Sequence, residues 1–483
     1  MNIAIIGAGT SGLSAAYRLN QLMPQAVVRV FDRRNRVGGV LETLRRDDFQ
    51  IEQSADNFIT TVPWGLELCR ELGLAGELVQ TNPAYRRTYI VRKNRLFLMP
   101  DGFLMMAPSK MWPLAVTPIL SPLGKLRAAL EYVIPRSQSD ADETLAAFVT
   151  RRLGREVFER LVEPLVSGVY AADMDKLSLM ATLPRFREME REHGSLIRAM
   201  RRQMRVNSVA GRFGSDSAKV KSQANESGAR YSMFVTLRQG LSHITDTLVA
   251  NLPPDAVQLN RRAETLERFA NETGQTQWRL TDQNGRAECF DAVIFALPSH
   301  ETARLLLPTH RRIGELLAKI EHSGTAIATF AFNRSQMKTK ITGMGFVVPK
   351  TENSPILAGS FSSMKYEHRA PDDKLLIRIF AGGARSPEMA DMPDAKLLPI
   401  LKREMGKLLQ IEGEPELEVV SHWPRTMPQY HLGHLELIDE VTRLAAEIPD
   451  IALAGNAFDG VGIPNCSRSG QLAATAIVDK LKW

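Results

Sequence analysis

A chain of 483 residues with 44% hydrophobic and 24% charged residues is too long for one compact core and too ordinary in composition for a fibre or global disorder, so two or three domains are expected. The formal charge of +7 raises the question of nucleic acid, but the stretch from Arg185 to Arg238 alone carries 12 basic and 5 acidic residues and so holds the whole excess. No helix-turn-helix, zinc or RNA-recognition pattern accompanies it, which leaves a solvated basic segment and no nucleic-acid partner.

In chain order, Asn2 to Ile6 reads as a buried strand, Ser11 to Leu22 as a helix with Leu13, Ala16 and Tyr17 on one face, and Ala26 to Phe31 as a second strand. Together they form a βαβ unit. The apolar run from Gly102 to Leu126 is broken by Pro108, Pro113, Pro118 and Pro122 and cannot be one straight helix. It is expected to wall a buried cavity, a membrane-contacting patch being the alternative. Leu123 to Val133, Ala141 to Leu153 and Phe158 to Ser167 have helical patterning, so the middle of the chain is expected to be mainly helical. Arg205 to Arg230 is polar, unpatterned and expected to be a flexible loop. Asn284-Gly285 predicts a hairpin with a type I′ turn. "DAVIFALP" predicts a buried strand, Gly345 to Arg385 further strands, and "HWPRTMPQY" an irregular segment. The chain closes with a strand, "IALAG", and a helix starting near Ser467.

Cys69, Cys289 and Cys466 form no CxxC pair, which fits a reduced cytoplasmic setting and argues against a disulfide framework or zinc site. His431 and His434 could share a helix face, but with no third ligand no metal is expected. The start shows no secretory signal, and no window is long and apolar enough for a membrane span.

Gly7, Gly9 and Gly12 form GxGxxG between the first strand and the first helix. In that context the first glycine permits the turn, the second lets a pyrophosphate approach the main chain, and the third lets helix and strand pack closely. Asp32, at the end of the second strand, can accept ribose hydroxyls and disfavours a 2′-phosphate. "RRNRVGGVLET", with Arg36, Gly38 and Gly39, resembles the second glycine turn of the flavoprotein group that includes amine oxidases and porphyrinogen oxidases. "LAGNAFDGVGIPNCSRSGQLAA" resembles the flavin-ring segment of the same group.

Within that group, "LVEPLVSGVYAADMDKLSL", "SPLGKLRAALEYVIPRS", "LRQGLSHITDTL" and "HWPRTMPQYHLGH" resemble the porphyrinogen oxidase family, in particular its bacterial coproporphyrinogen III oxidase branch. The resemblance implies an α/β fold: a Rossmann-like discontinuous FAD-binding domain with an α+β substrate domain and a mainly helical insertion. The expected division is 1–85, 235–300 and 435–483 for FAD, 95–230 for the helical part, and 301–434 with strands from 86–100 for substrate. Cofactor binding is implied for Gly7, Ala8, Gly9, Thr10, Ser11 and Gly12, then for Asp32, Arg33, Arg36, Gly38 and Gly39. Asp56 and Asn57, Ala263, Trp423, Gly455, Val461, Gly462 and Ile463 complete that set, and Arg87, Thr88, Gly168 and Val169 are implied for substrate. Two departures stand out: Ser54 where relatives often carry glycine, and Thr88 before Tyr89 where many protoporphyrinogen oxidases carry arginine.

The implied chemistry is the oxidation of a porphyrinogen in three two-electron steps, each a hydride moved from carbon to flavin N5, with oxygen reduced to peroxide. The pyrrole protons can leave to water, so no acid or base is assigned. Arg86, Arg87, Arg92 and Arg95 are candidates for a basic rim facing the propionates, a solvated strand face being the expected role of most of them, and they mildly favour coproporphyrinogen over protoporphyrinogen. A flavin amine oxidase, a carotenoid desaturase and a non-catalytic carrier of tetrapyrrole remain alternatives. The expected setting is cytoplasmic, with peripheral membrane contact and a ferrochelatase or second copy as partners.

Overall fold

The computed structural model describes residues 1–202 and 233–481, so the loop expected at 205–230 lies outside the described residues. β1 (Asn2–Ile6) lies between β2 (Val27–Phe31) and the strand Ala292–Phe295, with Val257–Gln258 and Ile451–Leu453 at the two edges. Every pairing is parallel, and Ile6 sits opposite both Phe31 and Phe295. A parallel sheet has to be covered on both faces. Ile3, Ile5, Val30 and Ile294 are buried beneath α1 (Thr10–Leu22) and the C-terminal helix Ile463–Leu481. Ala4, Ile6, Val293 and Phe295 pack on the other face against a small three-stranded sheet and the helices Ser299–Leu306, Arg311–Ala318 and His434–Ala446.

The small sheet contains the expected hairpin, Thr276–Asp282 with Ala287–Phe290, but its turn differs from expectation. Only Gly285 has positive φ, at 77°, whereas a type I′ turn needs two such residues. The glycine therefore follows the turn instead of forming its centre, and Gly285 N–H bonds the Asp282 carbonyl at 2.9 Å.

A second, seven-stranded sheet runs in the order Leu417–Pro428, His322–Asn333, Lys374–Gly382, Ile356–Phe361, Gly345–Val347, Thr88–Arg92 and Arg95–Leu98. The segment expected to be irregular is thus a strand. Pro424 and Pro428 are tolerated because that strand is at the sheet edge, where a missing N–H breaks no ladder bond on the open side. The outer face of the sheet buries Ala326, Phe330 and Ile377 against Leu397, Leu401 and Met405 of the helix Asp394–Leu409.

The middle of the chain is mainly helical, as patterned, with Leu145–Leu153, Glu163–Tyr170 and Pro184–His193 as its main elements. Phe158–Val162 is a π-helical turn, a distortion that α-periodic patterning does not reveal. Arg152 and Glu131 are both fully buried at the centre of this part: Arg152 Nε donates to Glu131 at 3.0 Å, and Glu131 accepts from the Leu196 amide at 2.8 Å. Removing one partner strands the other charge, so Arg152→Met is expected to lower the unfolding free energy by about 3–5 kcal/mol. Equilibrium denaturation checks this.

Three further expectations need correction. Pro122 starts a helix at its first position, so the Gly102 to Leu126 run folds as a two-stranded hairpin, Phe103–Leu104 with Ala107–Pro108, and two short helices, Met111–Val116 and Pro122–Ala129. Phe103, Met106, Leu114, Ile119 and Leu120 are buried, but Trp112, Val116, Leu123 and Leu126 are exposed, so the run is part core and part surface and not buried throughout. The C-terminal helix begins at Ile463, ahead of the expected Ser467, because Pro464 is compatible with a first turn. His431 precedes the helix that His434 opens and so does not share a face with it; His434 stacks on Tyr430 at 4.2 Å.

The result is an α/β fold: a Rossmann-like sheet assembled from separated stretches, an α+β part, and a mainly helical insertion.

Candidate cofactor-binding cleft

Gly7 and Gly12 are dictated by packing. A Cβ on either would collide with a backbone carbonyl oxygen, that of Ala296 or that of Gly7. Gly9 is different. It has φ −78°, which any residue can adopt, and a Cβ there would meet nothing nearer than Gly39 Cα at 3.9 Å. No protein atom needs that space. Gly9 pairs with Gly38 as an isolated bridge, and the Gly38 amide donates to the Ala8 carbonyl at 2.8 Å, so the two glycine turns are pinned side by side.

These turns line an open cleft of about 250 Å³. Thr10 and Ser11 open α1 there, with no side-chain cap and no acidic residue in the first turn. The first intrahelical amide bond is Leu13 N–H to the Gly9 carbonyl, which leaves the preceding amides for an anion. Asp32 and Arg33 line one end of the cleft, together with Ala263. The Asp32 carboxylate accepts from the Ala8 amide at 2.8 Å and the Arg34 amide at 2.9 Å, which fixes it while leaving lone pairs for hydroxyl groups. Gly455 lines the cleft with Asn456 and Cys466, so both ends of the chain reach it.

The convergence has a physical cause. A Cβ on Gly470 would fall on the Ser11 carbonyl oxygen, and Ser14 Oγ is 3.3 Å from Ser467 Oγ, so the C-terminal helix lies in backbone contact with α1. Gly470 is a site-forming residue that the sequence reading quoted without singling out. Arg34 and Arg261 were also missed. The Arg34 guanidinium lies 5.4 Å from the Trp423 ring centre and donates to the Gly39 carbonyl, and burial pushes its pKa down. Arg261 stacks on Phe31 at 4.9 Å and pairs with Asp282 at 2.7 Å. Only the pair of arginines before Ala263 hinted at it. Burial pushes the Cys466 thiol up to about 11, which disfavours its thiolate.

The other expected residues spread outward from the cleft. Arg36 pairs with Glu42 at 2.7 Å and donates to the Leu41 carbonyl, bracing the second glycine turn. Trp423 donates from Nε1 to the Gln53 carbonyl at 2.7 Å. Asp56, beside Asn57, accepts from Lys365 at 3.1 Å and pairs with Arg378 at 3.4 Å. These two cations hold its carboxyl at about 2 against the opposing effect of burial. Gly462 and Ile463 start the C-terminal helix, and Val461 packs against the helical part's core.

That core includes Val347, Val166 and Tyr430, and Tyr430 donates to the Asn456 carbonyl, so an apolar wall adjoins the Gly455 end of the cleft. Gly168 and Val169 are exposed at the end of the helix Glu163–Tyr170, and a Cβ on Gly168 would touch Val347 at 3.8 Å. Thr88 pairs with Gly345 across the sheet, and Arg87 lies just ahead of that strand. Of the four rim candidates, Arg86 is bound to Thr81 and Arg92 to the Pro118 carbonyl, and Arg86, Arg87 and Arg95 are exposed. Arg185 joins them: it lies over Phe186 at 4.8 Å beside Tyr170, and burial pushes its pKa down.

The glycine-walled cleft, the free amides at the start of α1 and the anchored Asp32 fit an extended dinucleotide, and comparison with known proteins agrees. The model of the flavin containing amine oxidoreductase family matches residues 10–478. The chain is 30% identical over 482 residues to the coproporphyrinogen III oxidase of Staphylococcus aureus, covering 99% of each protein. To that of Propionibacterium freudenreichii it is 34% identical, covering 99% of this chain and 91% of the relative. Protoporphyrinogen oxidase 2 of Arabidopsis thaliana is 26% identical, over 99% of this chain and 94% of that protein. A crystal structure from Exiguobacterium sp. 255-15 superposes with a TM-score of 0.85 at 27% identity, covering 100% of this chain and 99% of that one. Cyclohexylamine oxidase from Brevibacterium oxydans, at TM-score 0.67 and 15% identity over 100% of this chain and 99% of that one, shares the fold. The chain belongs to the flavin-containing amine oxidoreductases and, within them, to the porphyrinogen oxidases.

Proposed function

We propose that this chain oxidises coproporphyrinogen III to coproporphyrin III in haem biosynthesis, with oxygen as electron acceptor and peroxide as product. The enzyme is an FAD-dependent oxidoreductase. Bound FAD supplies a two-electron hydride acceptor, and the protein supplies position and surroundings. Gly7 to Ser11 and Gly38 to Gly39 would receive the pyrophosphate, Asp32 the ribose, and the Gly455 to Ile463 segment the ring end. Val461, Tyr430 and Val347 would present an apolar wall to the macrocycle and keep water from the reacting carbon. Arg87, Thr88, Gly168 and Val169 are proposed substrate contacts.

The observation that carries this reading is the meeting of both chain ends on one glycine-walled cleft beside that apolar wall, in a chain 30% identical end to end to a coproporphyrinogen III oxidase. Purified protein with bound FAD is expected to turn coproporphyrinogen III fluorescent while consuming oxygen, faster than it does protoporphyrinogen IX. Equal or reversed rates select the second reading, protoporphyrinogen oxidase, which the plant relatives favour. Flavin that neither compound reduces refutes both.

Arg185 is expected to meet a propionate. Its neighbours on the same helix, Arg187 and Arg191, are paired with Glu143, Glu190 and Asp140, whereas among the described residues Arg185 has no carboxylate partner in hydrogen-bond reach. Arg185→Leu should therefore raise KM for coproporphyrinogen about tenfold with little change in kcat, as expected for a charge-assisted hydrogen bond. Steady-state kinetics decides.

Among the described residues no helix is long and apolar enough to cross a membrane. A cytoplasmic location with peripheral membrane contact is part of the proposal, as are a ferrochelatase or a second copy as protein partners.

A further inference from the structure

The edge strand Leu417–Pro428 of the seven-stranded sheet is interrupted where it passes the cofactor cleft. Thr325 of the neighbouring strand pairs with Trp423 and Ser323 with Met427, so the single residue Gly324 stands against three, Pro424, Arg425 and Thr426. A bulge re-aims side chains, and bulges gather beside binding sites. This one is built in from both sides. A Cβ on Gly324 would lie 2.9 Å from Pro424 Cα and 3.0 Å from the Arg425 amide nitrogen, so the partner strand carries the one residue that lets the bulge approach. Thr426 Oγ1 donates to the Trp423 carbonyl at 3.1 Å, and the Asn456 side-chain amide donates to the Thr426 carbonyl at 3.1 Å, which latches the bulge to the C-terminal segment that lines the cleft. Arg425 has φ 52°, a left-handed backbone that favours glycine, and yet it carries a long charged side chain. A strained residue that its surroundings hold in place on a ligand cleft points to a task for its side chain.

The charges of the cleft identify that task. Six arginines line it: Arg33, Arg34, Arg261, Arg262, Arg304 and Arg425. Arg33, Arg262 and Arg304 pair with Glu301, Arg261 pairs with Asp282, and Arg34 donates to the Gly39 carbonyl. Among the described residues Arg425 alone of the six has no carboxylate or carbonyl partner, and it is exposed. Its neighbours place it. Burial and then the Arg425 charge hold the His300 imidazole below its ordinary value, so the guanidinium faces that ring. His300 follows Ala296 and Leu297, which lie between the first glycine turn and the last: a Cβ on Gly7 would strike the Ala296 carbonyl oxygen, and one on Gly455 would lie 3.5 Å from that of Leu297. That corner adjoins the amides at the start of α1, which are open to an anion.

We infer that Arg425 is a cofactor-binding residue, held on a strained bulge so that its guanidinium pairs with the pyrophosphate of FAD and slows cofactor release. The inference rests on the pyrophosphate position proposed above. It adds a cation from the second sheet, the part of the chain otherwise given to substrate, and a guanidinium suits a phosphate because its planar fork donates two hydrogen bonds at once.

Release of FAD from full-length holoenzyme is followed by the rise of flavin fluorescence on dilution, at low and at high salt. Arg425→Gly is expected to release FAD about tenfold faster at low salt, the loss of one charge-assisted hydrogen bond, with the gap to the parent narrowing as salt rises. Arg425→Lys keeps the charge and should recover part of the slow release. Glycine accepts φ 52° without strain, so flavin-free Arg425→Gly should melt no earlier than the flavin-free parent. An early-melting variant would make Arg425 a structural residue and overturns the inference. So does unchanged release from a flavin-loaded parent and variant, including the case where the variant instead raises KM for the porphyrinogen, which would give the arginine to the substrate. A parent that binds no FAD overturns the pyrophosphate position as well, so the two failures are distinguishable.

Discussion

Gly9→Ala is expected to fold with an unchanged melting temperature and to lose FAD. The added methyl group meets no protein atom within ordinary contact apart from Gly39 Cα at 3.9 Å, and Gly9 has φ −78°, so the substitution brings neither clash nor strain to the folded chain. The space it fills is on the cleft. Overpacking of about 1–3 kcal/mol against a bound pyrophosphate corresponds to a Kd about 5 to 150 times higher. Flavin titration and thermal melts on the same sample separate the two effects. Gly470→Ala is the contrasting case: its methyl group would fall on the Ser11 carbonyl oxygen, so the C-terminal helix has to move off α1. Melting temperature and flavin retention should then fall together. A Gly9→Ala protein that melts early, or that keeps its FAD affinity, contradicts the role given to that glycine.

The second large effect concerns Asp56. Its carboxyl is held at about 2, below its ordinary 3.8, by Lys365 and Arg378. A group depressed on folding contributes stability that is fully present above its unfolded pKa and lost as pH falls through the folded value. For Asp56 the window runs from about 4 down to 2, and the contribution is about 2 kcal/mol. Acid unfolding should steepen across that range. Asp56→Asn should cost about 3–5 kcal/mol at neutral pH, because Lys365 is left buried without its counter-ion. Adding Lys365→Met should restore most of that loss and flatten the acid limb, as followed by circular dichroism against pH. An Asp56→Asn protein as stable as the parent at pH 7 would show that the pair carries no such weight.

These two sites also mark where sequence reasoning succeeds and where it stops. Gly9 was legible because GxGxxG between a strand and a helix is a local arrangement: the turn, the close approach and the helix start all lie within a dozen residues. The Asp56 cluster was not, because Lys365 and Arg378 lie more than 300 residues away in sequence, on the short helix Ser362–Lys365 and on a strand of the second sheet. Arg185 was hidden for a related reason. Nothing in "LPRFREMEREH" distinguishes it from Arg187 and Arg191 until the carboxylates that satisfy those two are placed.

The errors follow the same line. "HWPRTMPQY" reads as irregular because proline disfavours strands, and only the topology shows that this strand is an edge. The Gly102 to Leu126 run is apolar enough to suggest burial, and only packing shows which of its side chains face out.

The sequence by itself determined the βαβ unit, the two glycine turns, the acidic residue at the end of the second strand, the helical middle and the membership of a flavoprotein family, because periodicity, turn chemistry and motif spacing are local properties of the chain. Only the tertiary structure decided that the last helix lies in backbone contact with the first, which charges are paired, and which apolar residues remain outside. Those outcomes depend on contacts between residues hundreds of positions apart, and no local pattern records such a contact.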